Sequence, residues 1–465
     1  MQTFPEHWEA VSLKDVVSYR KGKKPKVLSN TKTGGTVPYV DIKAFSTGEI
    51  RRYADIESSN LTSKNNVLVV WDGARSGLVG IGQEGAIGST IMALRSIAID
   101  SIYLFRFLQT QYDTINSNPR GTGIPHVDPE LFWNIKTPIA PLNEQRRIVA
   151  KLGKLLKKVD ACKERLDKIP TILKRFRQSI LAAACSGRLT EDWRDEHPKA
   201  RPVETKGETA VSTNCLMEIP QTWRWVNLPK TGEMRRGKSR HRPRNAPFLF
   251  GGSYPFIQTG DIAQSGSRIT SHKQTYNEAG LAQSRLWPAS TVCITIAANI
   301  AESALLTYPA CFPDSVVGII ADETISLPEF LEFFIRTAKT DLSTFAPATA
   351  QKNINIKILG DVLIPLPPLS EQKEIVRRVE ALFKIADQIE ERYTKARAYV
   401  GKLTQSILAK AFRGELVPQD PNDEPASELL KKIKDERNYD EEKSRKIVSA
   451  KRNFKKRDKF HVRDK

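Results

Sequence analysis

Pro141-Leu142-Asn143-Glu144-Gln145-Arg146-Arg147-Ile148-Val149 opens a long run of helix-forming residues, and Pro368-Leu369-Ser370-Glu371-Gln372-Lys373-Glu374-Ile375-Val376 opens another 227 positions later. From there the two copies need no gap. Asp160 falls on Asp387, Gln178-Ser179-Ile180-Leu181-Ala182 on Gln405-Ser406-Ile407-Leu408-Ala409, Gly187 on Gly414 and Leu189 on Leu416. The echo extends upstream, where Pro5-Glu6-His7-Trp8 matches Pro220-Gln221-Thr222-Trp223 at an offset of 215. In that register Val11 and Leu13 match Val226 and Leu228, and Arg20-Lys21-Gly22-Lys23 matches Arg235-Arg236-Gly237-Lys238. A held register over this length means one structural unit written twice.

Within the downstream copies, apolar side chains recur at alternating spacings of four and three. The first series is Ile148, Leu152, Leu155, Val159, Cys162, Leu166, Ile169, Leu173, Phe176 and Ile180. The second is Ile375, Val379, Leu382, Ala386, Ile389, Tyr393, Ala396, Val400, Leu403 and Ile407. Such a seam marks a helix that packs on another helix. A single amphipathic helix would pack on its own domain, but two matching seams on one chain suit each other. The first helix leaves the first globular unit and the next begins at the second, so an antiparallel pair is expected. Pro170 stands inside the first seam and is expected to kink it or break it into two helices, whereas no proline lies between Pro368 and Pro418. A seam from Ile148 to Ile180 spans about 50 Å at ~1.5 Å per residue, longer than one ~34–36 Å turn of B-DNA.

The chain thus reads as globular units at 1–140 and 219–367, helical regions at 141–195 and 368–436, a linker at 196–218 and a basic charged tail at 437–465. Val67-Leu68-Val69-Val70-Trp71 and Val292-Cys293-Ile294-Thr295-Ile296, bounded by Gly, Asn and Pro, read as strands. Tyr103 to Gln109 and Glu329 to Thr337 read as helices. The expected fold class is α+β: two mixed α/β domains separated by two long antiparallel coiled-coil helical regions, in a pseudo-two-fold repeat.

At 465 residues, 40% apolar and 27% charged, the chain is too long for one ordinary core and too apolar for wholesale disorder. Its net charge of +20 attracts polyanions from a distance and makes nucleic acid the first partner to consider. Cys162, Cys185, Cys215, Cys293 and Cys311 are scattered and odd in number, unlike a disulfide framework or a zinc site. The opening MQTFPEHWEA has no basic stretch leading into an apolar one, and no run reaches the ~18 apolar residues of a membrane span, so a cytoplasmic, membrane-free location is expected.

Two loops at equivalent points of the repeat concentrate cations. Arg20, Lys21, Lys23, Lys24 and Lys26 form the first, and Arg235, Arg236, Lys238, Arg240, Arg242 and Arg244 the second. Such side chains hold phosphates or place Arg on guanine O6 and N7; a solvated charge run is the plainer alternative. Gly232-Glu233-Met234-Arg235-Arg236-Gly237-Lys238-Ser239 also fits the phosphate-loop pattern of an ATPase, with Val316 to Asp322 as an apolar run ending in an acid. That loop requires a strand before it and a helix after it, yet Pro229 precedes it, Pro243 follows, and Val17 replaces Gly232 in the first copy. Asp41-Ile42-Lys43 is a fragment of a nuclease-like pattern without an acid cluster around it, and no methyltransferase motif is present. A basic coiled-coil scaffold for RNA or ribosomes would share the charge and the seams but not the two equivalent mixed domains.

The Pro-Leu-x-Glu-Gln-x-x-Ile-Val frames, with Ile169-Pro170-Thr171-Ile172-Leu173-Lys174-Arg175-Phe176-Arg177-Gln178 and the stretch from Leu403 to Leu416, resemble the conserved regions of type I restriction-modification specificity subunits, most of all the enteric IA type. The resemblance runs from about Phe4 to Arg437. It implies two target recognition domains, each reading one half of a bipartite double-stranded DNA sequence across an unread spacer. It also implies helical regions, carried by Ile148, Leu152, Leu155, Val159, Leu166, Leu173, Ile375, Val379, Leu382, Ile389 and Leu403, that dock two methyltransferase and two restriction subunits. The chain itself would be non-catalytic and bind no cofactor or metal, with S-adenosylmethionine, ATP and Mg serving its partners. Gly121-Thr122-Gly123-Ile124-Pro125-His126 and Thr349-Ala350-Gln351-Lys352-Asn353 resemble family loops near the DNA surface, which nominates Thr122, His126, Gln351, Lys352 and Asn353 as further DNA-binding residues.

Overall fold

The computed structural model describes residues 4–96, 99–121, 123–204, 218–297, 301–344 and 356–435. The chain divides into two compact units, Met1–Leu166 with Ala396–Lys465, and Asp167–Lys395. Both draw on two long helices, the first Leu142–Cys185 and the second Leu369–Ala411.

In the first unit, four strands pair in the order Val17–Lys21, Ile91–Ser96, Val67–Val70 and Val79–Ile81, every neighbour antiparallel. Val67–Val70 is buried along its whole length, as an unbroken apolar run requires. Helix Ser101–Thr110 starts where Asp100 accepts the Ile102 and Tyr103 N–H groups, and it buries Tyr103, Leu104, Phe107 and Leu108. The second unit repeats this plan. Gly232–Arg236, Val316–Ala321, Val292–Thr295 and Ser303–Leu306 pair in that order, and helix Pro328–Thr344 follows. The sequence echo is therefore an echo of topology, and the two arginine-lysine stretches end equivalent strands.

The Pro-Leu-x-Glu-Gln frame has a physical reading. Strand Glu9–Ser12 pairs antiparallel with Lys136–Ile139, which brings Trp8 beside the start of the first long helix. The Trp8 indole Nε1–H donates to Glu144 Oε2 at 2.9 Å. Arg224–Asn227 pairs with Leu363–Leu366 in the same way, and Trp223 Nε1–H donates to Glu371 Oε2 at 2.9 Å. Both carboxylates are buried. The adjoining glutamines hold the loops: Gln145 accepts the Asp100 N–H and donates to the Ala140 carbonyl, while Gln372 accepts the Leu327 N–H and donates to the Pro367 carbonyl. One dipeptide thus joins three elements, and its buried polar atoms are answered.

The segment after each long helix closes on the same frame. In the second unit, Thr190 and Arg194 donate to Glu371 Oε1 at 2.7 and 2.6 Å, and Gly187 sits against the Pro220 ring. In the first unit, Gln419 donates to Glu144 Oε1 at 2.8 Å, Arg147 pairs with Asp423, and Gly414 sits against the Pro5 ring. Both glycines are left-handed, with φ of 80° and 78°, and a Cβ would meet proline Cγ at 2.5 and 2.3 Å. The chain beyond Gly414 adds Ala426, Leu429 and Ile433 to the first unit's core.

The helices pack antiparallel within each unit. Lys163 donates to Thr404 in the first, with Arg147 and Asp423 further along; in the second, Arg177 holds Asp387 and Glu390 while Arg378 holds Asp192 and the Leu189 carbonyl. Of the seam residues, Ile148, Leu152, Val159, Leu173, Ile375 and Val379 are buried. Leu155, Leu166, Leu382 and Leu403 are half-buried, and Leu156 takes the inward place expected of Leu155 because a straight helix drifts against a seven-residue repeat. Cys162, Phe176 and Ile389 are exposed rather than in the seam. Pro170 does not break the first helix: its exposed ring forfeits a solvent-side hydrogen bond, worth ~3 kcal/mol with its strain, and buried Leu173 and Ile180 beyond it keep the helix going.

Changes at the buried acids should register directly in stability. Glu371→Ala strands the Trp223 indole, Thr190 and Arg194, and should cost about 3–5 kcal/mol in denaturant unfolding of the second unit; a cost under about 1 kcal/mol would contradict the buried network. Burial pushes the Glu332 carboxyl up to about 7 against the pull of Arg336 and Ser303. Its folded value lies above its unfolded one, so the stability it contributes is full below the ordinary value of 4.5 and is lost as pH rises through about 7. Glu332→Gln should flatten that decline in Tm between pH 5 and 8.

Candidate nucleic-acid interface

Strand Val17–Lys21 lies at the edge of the first four-stranded sheet and leads directly into the first cationic loop. Gly22 makes the exit possible, because a Cβ there would lie 2.1 Å from the Gly88 carbonyl oxygen. Pro25 is buried and anchors the loop, while Arg20, Lys23, Lys24 and Lys26 are exposed. Their charged groups have no ion pair among the described residues. Lys21 differs: its Nζ lies 3.1 Å from Asp72 Oδ2, and Asp72 Oδ1 accepts from His126 Nδ1 at 2.7 Å. Close by in sequence, exposed Tyr19 packs on Trp133 with ring centres 4.6 Å apart, and Trp133 meets Trp71.

The second domain builds its surface differently from the same strand. Gly237 passes the Phe312 and Pro313 carbonyl oxygens, where a Cβ would lie 2.4 Å from each. Arg235 pairs with Glu233 at 2.9 Å, and Glu233 is also gripped by Arg285, whose two hydrogen bonds hold that carboxyl below its ordinary range. Arg285 in turn lies over the Trp287 ring, 4.1 Å from its centre. Arg236 Nε donates to the Asp314 carbonyl, and Arg242 and Arg244 reach the Asp314 carboxylate at 3.5 and 2.7 Å. Lys238 and Arg240 are exposed with no ion pair among the described residues. The structure thus sets the two cationic stretches at the ends of equivalent edge strands, with Lys21, Arg235, Arg242 and Arg244 engaged by acids. Thr122, Gln351, Lys352 and Asn353 lie outside the described residues.

The alternative chemistries do not survive the geometry. Gly232–Arg236 is itself the edge strand rather than a phosphate-binding turn, and the loop after it leads to a three-residue 3-10 turn at Pro247–Leu249 rather than into the α-helix a phosphate loop requires. Val316–Ala321 is simply its strand partner. Asp41 caps helix Ile42–Thr47 and pairs with Arg52, while Lys43 pairs with Glu49, which accounts for the Asp-Ile-Lys triplet structurally. The acids Asp72 and Asp314 were not singled out by sequence. No local pattern announces them, since each meets its cations only through strand pairing and loop closure.

Comparison with known proteins points the same way. The type I restriction modification DNA specificity domain matches residues 5–171 and 220–396, one copy in each half of the repeat. The chain is 30% identical over 451 residues to the type I restriction enzyme EcoDI specificity subunit of Escherichia coli, covering 93% of this chain and 96% of that one. It is 29% identical to the EcoBI specificity subunit of Escherichia coli over 93% of both chains. Among solved structures, the HsdS subunit from Thermoanaerobacter tengcongensis shares the fold, with a TM-score of 0.58 at 21% identity over 89% of this chain and 98% of that one. A chain from a study of complex assembly and conformational transition in a type I R-M system shares it with a TM-score of 0.65 at 22% identity, covering 89% of this chain and 99% of its own.

The three lysines of the first loop that have no ion pair among the described residues give a direct test of these surfaces. Lys23→Ala, Lys24→Ala and Lys26→Ala together should weaken DNA binding and make the slope of log affinity against log salt shallower by about 0.9 for each phosphate no longer neutralised. An unchanged slope would return the loop to solvated surface.

Proposed function

Because this chain belongs to the family of type I restriction-modification DNA specificity subunits, we propose that it reads a bipartite DNA target, one half-site through each mixed domain, with an unread spacer between them. The observation that carries this reading is the duplicated cationic loop, set at the end of the same strand in two domains of the same topology. Phosphate contacts from unpaired lysines and arginines would set register, while Arg and His side chains would address base edges in the grooves. Its relatives are specificity subunits, so its part is targeting rather than catalysis. S-adenosylmethionine, ATP and Mg then belong to methyltransferase and restriction partners. An RNA or ribosome scaffold leaves the family membership unexplained.

The long helices offer a place for the methyltransferase subunits. In the second unit Ile172, Phe176, Ile385 and Ile389 stay exposed. Stepping ~3.6 residues per turn from buried Leu173 and Val379 puts all four on one flank of the antiparallel pair, opposite Arg177 and Asp387. The repeat-equivalent positions in the first unit include exposed Tyr399 and Cys162. The other two equivalent positions are exposed Lys158 and half-buried Leu403, so the two flanks correspond in place but the second unit's is the more apolar, and its exposed Phe176 is the kind of aromatic anchor on which protein interfaces depend.

Assembly with methyltransferase subunits and sequencing of the methylated DNA should give two short elements at a fixed separation; one continuous element, or none, would overturn the reading. Phe176→Ser with Ile389→Ser should loosen methyltransferase binding at least tenfold, at ~1.4 kcal/mol per tenfold, with Tm nearly unchanged because both side chains are already exposed. Undiminished binding would place the docking surface elsewhere.

A further inference from the structure

We infer that Asp72 and Asp314 are positioning residues for base recognition, each fixing the reading surface of its own domain. A carboxylate in a surface that faces a polyanion works against binding unless nearby cations neutralise it, so its presence needs another reason. Asp72 is 17% exposed and stands between two candidate DNA-binding side chains, Lys21 at 3.1 Å and His126 at 2.7 Å. A carboxylate only accepts, so His126 Nδ1 is the donor and Nε2 is left as the ring's outward hydrogen-bonding atom. The backbone makes the same connection: Asp72 and His126 form an antiparallel bridge, the Gly73 N–H donates to the Pro125 carbonyl, and the Val127 N–H donates to the Trp71 carbonyl. One acid therefore sets both the seating of the loop before Val127 and the tautomer of its histidine.

Asp314 does the corresponding work with different atoms. Its carbonyl accepts from Arg236 Nε at 2.9 Å, and its carboxylate holds Arg244 at 2.7 Å and Arg242 at 3.5 Å. The edge strand and the loop beyond it are thus tied to a single residue beside the start of strand Val316–Ala321. Exposed ion pairs contribute little to stability. Their value here is geometric, since a guanidinium held in one orientation can meet guanine O6 and N7 as a fork, whereas a free one cannot do so without ordering itself first.

The inference rests on the bipartite reading above, and each domain serves as the control for the other. Complexes carrying Asp72→Ala or Asp314→Ala, assembled with methyltransferase subunits, are compared with wild type by sequencing the DNA they methylate and by Tm. Asp72→Ala should lower base discrimination by about tenfold at one or more positions of the first half-site and leave the second intact; Asp314→Ala should do the reverse. Asp72→Asn keeps an acceptor for His126 and should restore much of the first half-site preference. Unaltered preferences, or equal loss at both half-sites as from general destabilisation, would overturn the inference while leaving the bipartite reading in place. A wild-type complex that methylates no two-part target would overturn both.

Discussion

A buried carboxylate holding a tryptophan indole is the constraint on which each half of this chain depends. Glu144 and Glu371 stand in the first turn of a long helix, yet each is committed to a side chain just ahead of the opening strand of a globular domain, 136 and 148 positions away. A bare carboxylate in that setting would be unstable by several kcal/mol, so its partners are obligatory. The strand pairs that begin and end each domain, the loop ahead of its sheet-packing helix and the segment after a long helix all meet at this point. The direction in which each long helix leaves its domain is fixed there too.

The candidate recognition surfaces follow the opposite economy. Their sheets are rigid and apolar, while the cations sit at strand ends and in loops where little packing restrains them. A few acids set among the cations pair with some of them, Asp72 with Lys21 and His126 in the first domain and Glu233 and Asp314 with arginines in the second. The two domains thus place different residues on the same strand frame, as the proposed reading of two different half-sites requires.

Much of the fold was legible because its signals are long and repeated. The register from Pro141 to Leu189 against Pro368 to Leu416 needs no gap, and apart from Cys162, Phe176 and Ile389 the residues of both seams are buried or half-buried. The helical stretches read from Tyr103 and Glu329 are also present, within Ser101–Thr110 and Pro328–Thr344. Local rules failed where tertiary packing overrode them. Pro170 is tolerated because helix burial continues on both sides of it, and Ile389, apolar and in phase, is left exposed by the drift of the seam. At the candidate interface the cations could be named from their clustering, but not which of them are free. That distinction depends on Asp72, Glu233 and Asp314, residues that sequence places 51, 2 and 70 or more positions from the cations they engage.

The closure of Gln419 onto Glu144 joins residues 275 positions apart, and Phe412 packs edge-on against Tyr103 and Phe107 of the first domain's helix. On a ribosome, this makes the first-made domain the last to be completed. At about 5–20 residues per second, its core waits roughly 15–55 s for the segment that covers it. During that interval Tyr103 and Phe107 are without their aromatic partner, whereas the second domain's closing segment, around Thr190 and Arg194, is made before the domain it seals. Two halves that match in architecture therefore differ in their exposure to chaperones and to premature association during synthesis.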